Sequence, residues 1–182
     1  MRYFFGIIVL ILILTSCSVK RKFNNTSEFS TIHSVQDLEG LFLNHKIGEI
    51  AKPVRIIDSI LSIFNIREFT DFVTIVAKSP NEIKLIYYND SSERREKVFE
   101  GEMKENFFEI YLSNEQFVIP LFFGNWNIDR LRIGKTEDRE LIIRRFIDHR
   151  GHLLMLAGGT AYELVGRFSL ATSCKGYKNE IK

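Results

Sequence analysis

The chain has 182 residues, with 25 Lys and Arg against 23 Asp and Glu, a net charge of +2, and 45% hydrophobic residues. The near-balance of charge argues against broad electrostatic capture of nucleic acid, which needs clustered positive charge. Two cysteines, Cys17 and Cys174, are too few for the disulfide framework of a small secreted domain.

The chain opens with a basic residue, Arg2, then the apolar stretch from Tyr3 to Leu14, then Leu14-Thr15-Ser16-Cys17. The apolar stretch is shorter than the roughly 20 residues a membrane-spanning helix needs. It has the length of a secretory signal's hydrophobic region, with small residues where cleavage would fall. Positive start, apolar core, small residues and cysteine together resemble a bacterial lipoprotein signal. The resemblance implies that residues 1–16 are removed and that Cys17 becomes the lipid-modified first residue. The expected address is the cell envelope. Ser18, where many lipoproteins retained at the inner membrane carry Asp, points to the outer membrane of a Gram-negative cell. With Cys17 bound to lipid, Cys174 has no partner within the chain.

Removing residues 1–16 leaves 166 residues (182 − 16) and 24 basic against 23 acidic groups, one domain of ordinary size. Residues 17–31 read as a polar tether that cannot bury enough surface to offset its ordering entropy. Lys20-Arg21-Lys22 lies within it, either a weak attraction for anionic headgroups or a solvated charge run. Residues 32–170 read as the folded domain and 171–182 as a polar tail holding Cys174.

Within the domain, Gly40 with the following alternation fits a short first strand; the competing reading is a helix beginning at Ser34, where Ser34 and Asp37 fit N-cap and first-turn preferences. From Val54 to Ile66, the spacing of Ile56, Ile57, Ile60, Leu61 and Phe64 predicts one helix behind Pro53. From Thr70 the period becomes two. Strands are expected at Phe72–Val76, Ile83–Tyr88, Glu96–Lys104 with Gly101 as a possible bulge, Phe107–Leu112, Phe117–Ile119, Ile128–Ile133, Leu141–Ile147, His152–Ala157 and Ala161–Leu170. Turns are expected at Ser79–Asn81, Asn89–Ser92, Ser113–Gln116, Asp148–Gly151 and Gly158–Thr160, with a loop over Phe122–Trp126.

Eight to ten short strands in sequential hairpins predict a mainly β fold: an antiparallel up-and-down barrel-like meander with one early helix. Gly40-Leu41-Phe42 in the first strand, the early helix and the meander over residues 38–168 resemble the lipocalin barrels in outline. The Gly-x-Trp signature of lipocalins is absent, with Phe42 where the Trp would stand. With no convincing catalytic motif, the expected role is binding rather than catalysis, with no cofactor.

Candidate chemistry is sparse. His149 and His152 would approach one metal ion if they flanked a hairpin turn, but zinc needs more ligands than this pair offers. Glu100 and Glu102 share a strand face, which is usually solvated unless an apolar cleft separates their pKa values. Gly158-Gly159-Thr160 lacks the Lys and helix of a phosphate loop. Arg130 and Arg132 share one face of a strand. Facing inward they would hold an anionic ligand; facing outward they would pair with carboxylates across the sheet. Trp126, in the aromatic segment Phe122–Trp126, is a candidate contact for a ligand or partner. The expected activity is therefore non-enzymatic binding, of a small apolar ligand or of an envelope component. The alternative is an assembly accessory that offers its outer surface to a protein; an envelope hydrolase ranks last.

Overall fold

The computed structural model describes residues 28–45, 55–56, 59–119, 122–153 and 156–171. Among them the fold is mainly β, in two sheets. The first has the order β1 (Gly40–Leu43), β3 (Phe72–Ser79), β4 (Glu82–Tyr88), β5 (Arg94–Glu100). The second has the order β2 (Arg55–Ile56), β10 (Leu156–Phe168), β9 (Leu141–Leu153), β8 (Phe123–Lys135), β7 (Phe108–Ile119), β6 (Glu102–Met103). All pairings are antiparallel except β2 with β10. The meander order expected from the turn signals is present, and the described strands form two separate sheets rather than one closed ring.

The two sheets share one core. Phe42, Val73, Ile75, Ile83 and Leu85 meet Phe108, Ile110, Leu131, Ile133, Ile143 and Phe168. Each set follows the two-residue period that puts alternate side chains on one face. Gly101 carries the chain from the first sheet into the second. A Cβ there would come within 2.5 Å of the Glu109 carbonyl and 2.7 Å of the Phe108 ring, so the close approach demands glycine.

The early helix is shorter than its apolar spacing predicts. A helical turn, α1, covers only Ile60–Ile63, and Arg55–Ile56 instead pairs in parallel with Leu164 and Val165. Ser59 caps the turn, its Oγ accepting from Ser62 N–H at 3.2 Å, and Asn65 closes it with φ of 59°. Ile60, Leu61, Ile63 and Phe64 are all buried, so the apolar face survives although most of the predicted helix does not. The two competing readings of the domain's opening each hold in part, as a 3-10 turn at Val35–Leu38 followed by the short strand β1. The Asp37 carboxylate accepts from the N–H groups of His33 and Ser34 at 2.7 and 3.0 Å. These bonds hold its pKa below the usual carboxylate range.

Four predicted breaks are strand interiors. Ser113–Gln116 lies within β7, Phe123–Trp126 within β8, Asp148–Gly151 within β9 and Gly158–Thr160 within β10. The result is four strands of 12 or 13 residues, about 40 Å long. The β7–β8 hairpin closes where Phe122 N–H donates to the Ile119 carbonyl at 3.1 Å. Most polar residues in these stretches mimic turns because they are exposed on the sheet, whereas Asp148 is buried and bonded by Arg150. Their backbone groups are satisfied by neighbouring strands.

Residues 28–31, expected in the tether, lie against the outer face of the second sheet. Phe29 packs with Phe107, Ile142 and Val165, and Ser30 N–H donates to the Lys135 carbonyl at 2.7 Å.

Candidate functional site

The second sheet divides along its length into a proximal half, layered against the first sheet, and a distal half. A buried ion pair marks the boundary on the inner face. Arg145 grips Asp129 with two hydrogen bonds, Nε to Oδ1 at 2.8 Å and Nη2 to Oδ2 at 2.5 Å. Its Nη1 donates to the Ile63 carbonyl at 2.9 Å. Both side chains are buried. The guanidinium thus ties the end of α1 to the sheet and supplies the carboxylate with a bidentate partner.

Arg130 and Arg132 lie on the opposite, outer face. Arg132 Nε is 2.7 Å from Glu109 Oε2, and Arg130 is 3.9 Å from the same oxygen. Their guanidinium groups cover Phe107 and Phe146, at 4.5 and 5.3 Å from the ring centroids. Arg132 stands directly opposite Arg144, a like-charge pairing that is unfavourable by itself. Glu109 on one side, and Glu163 at 3.2 Å and Glu28 at 4.0 Å from Arg144 on the other, balance it. The outer face is therefore an interlocked set of arginines and carboxylates. A surface cleft of about 440 Å³ opens beside it, bounded by Lys104, Phe107, Glu109 and Arg132. A second, of about 650 Å³, lies between His33–Gln36, Asn81 and Met103.

His149 and His152 lie on one continuous strand, β9. Positions three apart on a strand point to opposite faces, so the pair does not converge on one ion. The expected turn between them, which would have allowed convergence, is absent. His152 instead lies against Trp126, with ring centroids 5.4 Å apart. Among the described residues no group of three or more His, Cys, Asp or Glu is arranged to hold a metal. Glu100 ends β5 and Glu102 opens β6, where it pairs with Lys104. Gly159 is a strand residue in β10 whose φ of +145° favours glycine, and a Cβ there would meet the His149 carbonyl at 2.2 Å.

The distal half ends in a cluster of exposed apolar side chains. Phe117, Ile119, Phe122, Phe123 and Leu153 are 56%, 45%, 60%, 40% and 61% exposed, and Val118 is 47% exposed. Register sets Ile119 opposite Phe123 and Phe123 opposite Leu153, on the face that carries the core further down. Val118 and Trp126 belong to the other face. Both faces of the tip are therefore apolar. Of these residues the sequence reading singled out Phe122, Phe123 and Trp126, as a loop. It missed Phe117 and Leu153 as parts of the same surface. The signal that finds them is charge. No Lys, Arg, Asp or Glu occurs in the 13 residues from Gln116 to Ile128, nor in the 12 from Gly151 to Tyr162. Strand pairing brings these two runs side by side.

Cys17 and Cys174 lie outside the described residues. Among the described residues no helix is long and apolar enough to cross a membrane. No family model, curated protein or solved structure matches the chain.

Proposed function

We propose that this protein is a lipid-anchored, non-enzymatic lipoprotein of the cell envelope, held through Cys17, that binds an envelope component on the outside of its β domain. Ser18 after the lipid-bearing cysteine favours the outer membrane as its site. In this reading the two meanders are an opened form of a lipocalin-like arrangement in which large side chains fill the interior. Phe42, Phe64, Phe108 and Phe168 occupy the space where a carrier would hold its ligand, which favours an external binding surface over an internal one. The observation that carries the reading is the exposed apolar tip at Phe117, Ile119, Phe122, Phe123 and Leu153. A contiguous apolar patch on an otherwise charged protein is the usual mark of an interaction site.

The test is mass spectrometry of material that co-purifies with the detergent-extracted full chain. The double substitution Phe122→Asp, Phe123→Asp is expected to lower the recovered component at least tenfold without changing the far-UV circular dichroism spectrum. A component that stays bound to the double variant would remove the tip as the binding surface and return the interior or the outer arginine face to consideration.

A further inference from the structure

We infer that the apolar tip docks into the interface of the lipid bilayer, so that the domain stands on the membrane with its second sheet tip-down. The inference rests on the lipid-anchor reading and names the partner class for the same surface.

Three observations select a bilayer. The first is the absence of charge. In a chain that is 26% charged, both hairpin ends that build the tip lack any Lys, Arg, Asp or Glu, over 13 and 12 residues. A protein interface tolerates charged residues at its rim, whereas a charge carried into the apolar part of a bilayer is costly. The second is two-sided exposure. Consecutive residues Phe117, Val118 and Ile119 are each about half exposed, so apolar groups project from both faces of the sheet. One flat protein surface covers one face; a surrounding lipid phase covers both. Trp126, the only tryptophan in the chain, sits three residues up β8 from Phe123, the level at which indole rings gather at a membrane surface.

The third is reach. The described chain begins at Glu28, whose carboxylate is 3.4 Å from Arg167 and 4.0 Å from Arg144. Arg144 and Leu153 are nine residues apart on β9, about 30 Å. The eleven steps from Cys17 to Glu28 span at most about 36–40 Å. A lipid on Cys17 can therefore lie in the same plane as the tip, with little length to spare.

Depth is limited by the same composition. The charge-free parts of β7 and β8, Gln116 to Ile119 and Phe123 to Ile128, are four and six residues long. A strand that crosses a bilayer needs about 9–11. On β9 the charge-free part is only Gly151 to Leu153, and Arg150, opposite Trp126, marks the waterline, so insertion stops within one leaflet.

The experiment uses the full-length protein extracted from cells and reconstituted into phosphatidylcholine vesicles brominated at shallow or deep acyl positions, with Trp126 emission as the readout. Intact mass is measured on the same preparation. The expected result is a chain lipidated at Cys17 whose emission falls at least twofold with the shallow quencher and less with the deep one. Phe122→Asp with Phe123→Asp should abolish quenching while the protein stays on the vesicles through its lipid. A lipidated, vesicle-bound protein with unquenched Trp126 overturns the docking and leaves the anchor standing. An unlipidated chain that is still quenched overturns the anchor and upholds the docking. An unlipidated, unquenched chain overturns both. Trp126 shielded from bromine but crosslinked tip to tip between two copies would assign the patch to self-association instead.

Discussion

Arg145 is the residue whose burial asks most of this fold. Its guanidinium is removed from water and compensated by Asp129 and the Ile63 carbonyl. Removing one partner leaves the other charge buried and unmatched, which typically costs about 3–5 kcal/mol. Asp129→Ala is accordingly expected to lower stability by about that amount in chemical denaturation. Asp129→Leu with Arg145→Met should cost clearly less than the single change, because no charge is left stranded. A single substitution that costs under about 1 kcal/mol would mean that the pair does not set this boundary.

Asp37 gives a second test, in pH. Two backbone N–H groups hold its folded pKa below the ordinary value. Its contribution is therefore present above the unfolded-state pKa, near 3.9, and is lost as pH falls through the lower folded value. Asp37→Ala should cost about 1 kcal/mol at neutral pH. It should also flatten the acid limb of a stability-versus-pH curve below about pH 4. An unchanged acid limb would remove Asp37 as the group responsible.

At the scale of elements, the proximal sheet was legible because one face is buried and the other wet. Asp129, Leu131 and Ile133 alternate with Arg130 and Arg132, and burial follows that alternation. In the distal half Phe117–Ile119 and the described part of His152–Ala157 are strand as expected, but the continuity of the strands was not legible. Both of its faces meet the same surroundings, so the alternation fades. Ser113–Gln116 and Asp148–Gly151 then look like turns, although the ladder runs through them. The early helix is shorter than expected for a related reason: Ile60, Leu61, Ile63 and Phe64 bury one helical turn as readily as a long helix. Trp126 and its aromatic neighbours were marked for contact from composition alone, but grouping them with Phe117 and Leu153 required strand register. Gly101 tests the element junction. Gly101→Ala must push the new Cβ against the Glu109 backbone and should destabilise the domain by about 1–3 kcal/mol in thermal or urea melts. A neutral result would show that the β5–β6 crossing has room to shift.

The whole molecule is polarised from end to end. The β8–β9 turn carries five charged residues among the six from Lys135 to Glu140, whereas the opposite ends of the same hairpins carry none. The two ends are about 40 Å apart along the strands. In the proposed arrangement a lipid on Cys17 and the apolar end share the bilayer surface, and the charged turn points into water. The most direct test is spin labelling of the reconstituted full chain carrying Cys174→Ser, with Cys17 occupied by lipid and a label at Phe122→Cys or Asp138→Cys. The account predicts greater accessibility to oxygen than to a water-soluble nickel chelate at position 122, and the reverse at position 138. Equal exposure of both positions to the nickel chelate would contradict it.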